Sequence, residues 1–120
     1  DAYLYVTGSP NSSLQTVAQA RDIPFVAEAF IDRLYHPDGT LVSRSQPNAV
    51  HADLQTVLTQ ATSIVLEGCV QTSDGTVIDL TAQTLCVHGD SPDAVAMARA
   101  VHRQLTQQGV TIFPIARAVD

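Results

Sequence analysis

Residues 2–30, AYLYVTGSPNSSLQTVAQARDIPFVAEAF, decide the fold class. Residues 2–7 (AYLYVT) are aromatic and β-branched and stop at Gly8-Ser9-Pro10, a turn signal, so they read as a first strand. Leu14, Val17, Ala18 and Arg21 then recur at helical spacing, with Ser9, Asn11 or Ser12 available to cap the first turn and Asp22 following the last. Residues 24–30 (PFVAEAF) return as a second strand after a short connection, as happens when a helix brings the chain back to a parallel sheet. The stretch is a βαβ unit.

Beyond it, residues 31–50 break all periodicity and contain Pro37, Pro47 and the turn Pro37-Asp38-Gly39, so they read as a long functional loop. From Asp53 onward, Leu54, Val57, Leu58, Ala61, Ile64 and Val65 fall on one helical face, and Gly68 stands where a glycine ends a helix. Asp74-Gly75-Thr76 is a tight turn, after which Val77, Ile78 and Leu80 lead into residues 84–88 (TLCVH), an apolar run suited to a strand buried on both faces. Gly89 and Asp90 turn the chain, Ser91 caps and Pro92 takes the first helical position. Val95, Ala98, Val101 and Leu105 form the inward stripe of a helix that ends near Gly109, and residues 110–115 (VTIFPI) make a last strand. The order β, α, β, long loop, α, β, β, α, β predicts an α/β layer or part of a barrel.

The chain of 120 residues, 45% hydrophobic, reads as a single domain able to fill a core without staples. A net charge of −6 is the wrong sign for collecting nucleic-acid phosphates. All six cations are arginines, so chemistry that needs a Schiff-base or P-loop lysine cannot come from this chain. Cys69 and Cys86 lack zinc-site spacing and read as two buried thiols rather than a disulfide. No apolar run approaches a membrane span and no basic, apolar leader opens the chain, so no membrane partner and a cytoplasmic location are expected. The start at Asp1, without an initiator methionine, reads as a sequence cut from something longer.

In parallel α/β architectures the loops at the carboxyl ends of the strands form the ligand site, which directs attention to three clusters. Gly8-Ser9 offers backbone amides that either bind an anion or simply cap a helix. Glu28, Asp32, Arg33 and Tyr35 emerge where the second strand stops. Glu28 shares a face with Val26 and Phe30, and a carboxylate among apolar side chains needs a partner such as Arg33, in a structural ion pair or a site. His88-Gly89-Asp90 ends the most apolar strand. A helix start there stabilises the Asp90 carboxylate and disfavours a protonated His88, leaving a neutral base or ligand. Arg44 is either a clamp for a substrate carboxylate or a solvated loop residue, while His36, His51 and His102 have no supporting context.

Common hydrolase, zinc-protease, dinucleotide and calcium motifs are absent, and the Asp-Gly-Thr triplets at 38 and 74 are shared turn chemistry. Three stretches together resemble the LamB/YcsF family: AEAFIDRLYHPDGTLVSRSQPNAV at 27–50, the helix and DGT turn to residue 80, and CVHGDSPDAVAMARAV at 86–101. The combination of an E-x-F-x-D-R-x-Y element, a D-G-x-L-x-x-R loop and a C-V-H-G-D turn carries the resemblance over nearly the whole chain. Departures are minor: Ala29 replaces a common valine, Asn48 a glycine, and His51-Ala52 interrupts the usual pattern.

The resemblance implies that residues 1–120 are the carboxyl-terminal half of a family chain. The amino-terminal D-L-N-C-D-L-G-E, F-H-A-G-D, G-A-H-P and H-x-K-P-H-G-A-L-Y segments do not occur here. It implies an α/β fold in which this chain is the carboxyl-terminal part of an irregular βα barrel like that of glycoside hydrolases and deacetylases. The implied activity is ATP-dependent opening of the 5-oxoproline lactam to glutamate, performed with partner subunits B and C. On that reading His88 transfers a proton or acts as a ligand with Asp90 orienting it, Glu28 and Asp32 serve the reacting end, and Arg33 or Arg44, with Tyr35, binds the substrate. A divalent metal is left undecided. The alternatives are a non-catalytic half acting as an assembly or binding module, and a family member acting on another lactam or amide. Pairing with the missing amino-terminal half, or homo-oligomerisation, is expected in either case.

Overall fold

The computed structural model describes residues 4–90 and 92–115. β1 (Val6–Gly8), α1 (Ser13–Ala20) and β2 (Phe25–Phe30) form the expected βαβ unit, with β1 and β2 parallel and Val6 opposite Phe25. Residues 2 and 3 of the anticipated first strand lie outside the described residues. Of the three candidate caps it is Ser12 whose side chain accepts the Gln15 N–H, at 3.3 Å. Gly8 permits α1 to approach β1, because a Cβ there would stand 3.0 Å from Leu14 Cδ2.

Residues 31–50 hold no strand or helix, yet Ile31, Asp32, Arg33, Tyr35, Val42 and Ala49 are buried. Backbone bonds fold the loop on itself, Leu34 N–H donating to Ala49 O and Val42 N–H to Leu34 O, both at 2.9 Å. Asp38 Oδ1 accepts Thr40 N–H and its hydroxyl, at 2.9 and 2.6 Å, and Asp74 does the same for Thr76 at 3.0 and 2.6 Å. These bonds from threonine hold both carboxyls below their ordinary range.

α2 (Leu54–Thr62) begins at Asp53, whose carboxylate accepts the Thr56 N–H at 2.9 Å. It passes into one π-helical turn, Ser63–Glu67, and stops at Gly68, which takes the left-handed φ of +65° as the sequence anticipates. A strand not foreseen, β3 (Cys69–Gln71), follows at once and pairs antiparallel with β4 (Val77–Asp79) around the Asp74-Gly75 turn. β5 (Thr84–Cys86) then returns to β2 in parallel, Glu28 opposite Thr84 and Phe30 opposite Cys86. The sheet order is β1-β2-β5.

Three expectations about the last third are corrected. α3 (Ala94–Gln107) buries Met97, Val101 and Leu105, and leaves Val95 66% exposed. A period of 3.6 admits two neighbouring stripes, and the one containing Met97 covers more apolar area than the one containing Ala98. Helix α3 also begins past Pro92 rather than at it, behind Asp93, and the anticipated cap Ser91 lies outside the described residues. Residues 110–115 form no strand: Val110 N–H closes the helix end on Leu105 O at 3.0 Å, Pro114 has no N–H, and no strand among the described residues pairs with them.

The core lies between the sheet and the α2–α3 pair, where Ala29, Ile31, Val57, Ala61, Val101 and Leu105 meet. Gln104 ties the two helices, its amide donating to Leu58 O at 3.2 Å and Thr62 Oγ1 at 2.6 Å. A cleft of about 350 Å³ against α3 is lined by Leu85, Val87, Val101 and Phe113 among others, and its walls are mainly apolar, with Gln83, Thr84, His102 and Thr111 among the polar ones. Among the described residues no helix is long and apolar enough to cross a membrane.

Candidate active site

The parallel register places the site. Phe30 pairs with Cys86, so continuing each strand by two residues sets Asp32 beside His88 on the same side of the sheet, with Glu28 and Phe30 behind Asp32. The odd-numbered neighbours Ala29, Ile31, Leu85 and Val87 face the helices, which leaves the even-numbered face for polar chemistry.

Beyond Cys86 the ladder is completed by a side chain. Asp32, only 3% exposed, accepts the His88 backbone N–H through Oδ2 at 2.9 Å, and both of its oxygens stand 3.0 Å from His88 Nδ1. A carboxylate only accepts, so Nδ1 carries the hydrogen in the neutral and in the charged ring, and the lone pair of the neutral imidazole is on Nε2. The ring stacks on Phe30, centroids 5.3 Å apart and planes 14° apart, which fixes its remaining degree of freedom. The half-buried imidazole is therefore a base or ligand aimed through Nε2, with a buried negative charge behind it.

This geometry corrects the partner expected for His88. Asp90 lies at the surface, where its Oδ2 meets Arg44 Nη1 at 3.5 Å, and the carboxylate on the imidazole belongs to Asp32. The helix-terminus argument for Asp90 fails as well, because α3 begins only at Ala94. Gly8-Ser9 is likewise separated from the start of α1 at Ser13, and Ser12 does the capping.

Arg33 is 7% exposed; its Nη2 donates to Val42 O at 2.8 Å and its buried Nε has no hydrogen-bond partner. Among the described residues no ion pair joins it to Glu28, so the expected pairing is not formed. Tyr35 is 1% exposed, and its hydroxyl accepts the Phe30 N–H at 2.9 Å, bracing the end of β2. Burial pushes its phenol above the ordinary value, and Glu28 and Asp32 add to the rise. Burial also raises the Cys86 thiol, again with help from Glu28 and Asp32. The β2–β5 register puts Glu28 on the same face of the sheet as Asp32. Cys69 and Cys86 are free thiols.

Two residues that sequence reasoning passed over sit directly behind Asp32. Gln60 of α2 donates through Nε2 to Phe30 O and to Arg33 O, both at 2.8 Å. His51, whose backbone N–H donates to Asp32 O at 2.8 Å, has Nε2 3.2 Å from Gln60 Oε1. The periodic pattern of α2 marks its apolar face, and nothing in it distinguishes Gln60 from the other polar positions.

Among the described residues no group of three or more His, Cys, Asp or Glu side chains converges as a metal site. Asp32 and His88 supply two donors, and no step through a metal is assigned to them.

Fold and site define the class: an α/β protein with a carboxylate–imidazole pair just past the carboxyl ends of adjacent parallel strands. The chain belongs to the LamB/YcsF family, which it matches over residues 1–120. It is 45% identical to the 5-oxoprolinase A subunit of Photorhabdus laumondii, over 93% of this chain and 44% of that one. To the 5-oxoprolinase A subunit of Paracidovorax citrulli it is 44% identical, over 97% of this chain and 46% of that one. The crystal structure of a lactam utilization protein from Thermus thermophilus superposes with a TM-score of 0.84 at 35% identity, covering 91% of this chain and 43% of that one. The chain thus spans less than half the length of these relatives.

Proposed function

We propose that this chain carries part of the active site of a lactam-opening enzyme, with 5-oxoproline as substrate and L-glutamate as product. The observation that carries the reading is the Asp32–His88 pair, bonded through Nδ1 and leaving the lone pair on Nε2, in a chain whose relatives are named as the A subunit of 5-oxoprolinase and as a lactam utilization protein.

Hydrolysing a lactam requires water to add at the carbonyl carbon, a base to take the water proton, and an acid to protonate the departing nitrogen. His88 Nε2 takes the proton as the oxygen–carbon bond forms, and Asp32 stabilises the resulting imidazolium through Nδ1–H. The same proton passes to the ring nitrogen as the carbon–nitrogen bond breaks, leaving a carboxylic acid on one end and an amine on the other, and the acid proton then passes to the amine to give carboxylate and ammonium. Glu28 supplies negative charge beside this proton path. Arg33 is assigned to the substrate carboxylate: it is a buried cation with an unpaired Nε, whereas Arg44 already meets Asp90.

We place ATP dependence with the assembled complex that includes subunits B and C. His88 meets the Asp32 carboxylate and the Phe30 ring, and the chain has neither lysine nor a glycine-rich phosphate loop, so these residues do not fit a nucleotide and no step through it is assigned to them. The parallel order β1-β2-β5, with both outer edges unpaired among the described residues, supports a place in a larger βα barrel of the glycoside hydrolase and deacetylase kind, as its carboxyl-terminal part.

The test is turnover of 5-oxoproline with ATP by the full-length protein reconstituted with subunits B and C. His88→Gln is expected to lower turnover at least ~100-fold, the scale for losing a positioned acid or base. Normal turnover by that variant makes this segment an assembly or binding module instead.

A further inference from the structure

We propose that Gln60, its amide orientation fixed by His51, is the positioning residue that holds Asp32 on His88; the proposal rests on the proton-transfer reading above and adds to it the means of alignment. Asp32 sits in an irregular bend just past β2, between the Ile31 N–H, which donates to Cys86 O at 3.4 Å, and an isolated bridge from Arg33 to Val50. Between those anchors one side-chain amide ties the two ends of the bend together, since Gln60 Nε2 donates to the carbonyls of Phe30 and Arg33, which flank Asp32 on either side. Carbonyl oxygens only accept, so the NH2 of Gln60 faces them and Oε1 is turned to His51. Because Oε1 also only accepts, His51 Nε2 carries a hydrogen. The His51 backbone N–H takes the carbonyl of Asp32 itself, so the carbonyls of residues 30, 32 and 33 are all held by this pair of residues.

The carboxylate of Asp32 must satisfy two donors of His88 at once, the backbone N–H at 2.9 Å and Nδ1–H at 3.0 Å. A bend that loses the Gln60 tie across residues 30 and 33 holds both less closely. Gln60 and His51 bond to the backbone beneath Asp32 and act on the imidazole through it, which makes them positioning residues rather than catalytic ones.

The test uses the full-length protein with two readings: the proton resonance of His88 Nδ1–H, and kcat and KM for 5-oxoproline in the complex with subunits B and C. Gln60→Met removes both donors at nearly constant length. The Nδ1–H resonance is expected to be lost to exchange with water, and kcat to fall about 10- to 100-fold, the range for a misplacement of about an ångström, with KM within about twofold. Retention of the resonance with unchanged kcat overturns the proposal and leaves the role of His88 standing. Loss of the resonance with unchanged kcat supports the clamp and overturns the proton-transfer reading. An effect on KM alone overturns the clamp in favour of a binding role. Should Gln60→Met fail to fold, His51→Phe decides by the same readings: a weakened resonance with a severalfold lower kcat supports the clamp, and no change in either overturns it.

Discussion

His88 and Asp90 stand two positions apart in one turn, yet their surroundings assign them different work. His88 is stacked on Phe30 and bonded to a buried carboxylate, whereas Asp90 shares an exposed contact with Arg44 at 3.5 Å, a kind of pair worth at most about 1 kcal/mol. Asp90→Asn is accordingly expected to leave turnover of the assembled enzyme within about threefold of normal, a change too small for a lost acid or base. A loss approaching that of His88→Gln contradicts the assignment. Cys86 offers a check on the local field. Burial, and then the charges of Glu28 and Asp32, raise its pKa, so the thiolate forms at a higher pH than in an ordinary cysteine. Alkylation of Cys86, followed by mass spectrometry against pH, should reach half its limiting rate above the usual thiol range, and Glu28→Gln should move that midpoint down. A midpoint at or below the ordinary value argues against a carboxylate cluster on this face.

Among the elements, those with internal periodicity were legible from the chain and those defined by partners were not. α2 could be read in detail because Asp53, its apolar face and Gly68 all act within one segment, although the π-helical turn at Ser63–Glu67 leaves no mark in the pattern. β3 is short and follows the helix without a break, so only its pairing with β4 reveals it. Residues 110–115 have strand propensity and no partner strand among the described residues, which is why propensity misleads there. The site was half legible. Its residue types stood out at the strand ends, but the choice of Asp32 over Asp90 depends on the β2–β5 register, and the roles of Gln60 and His51 on how α2 docks. Tyr35 shows how the loop is built into the sheet: its hydroxyl is the acceptor for the Phe30 N–H at 2.9 Å. Tyr35→Phe removes the acceptor of that partly buried N–H and is expected to destabilise the fold by about 1 kcal/mol in denaturant titration. An unchanged midpoint contradicts a bracing role.

For the whole molecule the decisive feature is a three-stranded parallel sheet whose outer strands, β1 and β5, have no partner on their far sides among the described residues. Apolar side chains lie exposed next to both, Leu4 before β1 and Ile112 and Phe113 beyond α3. Parallel sheets are normally covered and their edges paired, and burying ~400 Å² of apolar surface contributes roughly 10 kcal/mol before the cost of association. The 120-residue chain on its own is therefore expected to self-associate in sedimentation, and to cleave no 5-oxoproline. A stable monomer at high micromolar concentration contradicts the edge argument. On the proposed function the central claim is that Asp32 and His88 act as one unit, and a double-mutant cycle on kcat tests it most directly, with Asp32→Asn, His88→Gln and the double variant compared in the proposed complex with subunits B and C. The account predicts that each single variant and the double lower kcat by similar factors, at least ~100-fold, because residues acting as a unit are lost together. Losses that multiply in the double variant, or near-normal turnover in either single one, contradict it.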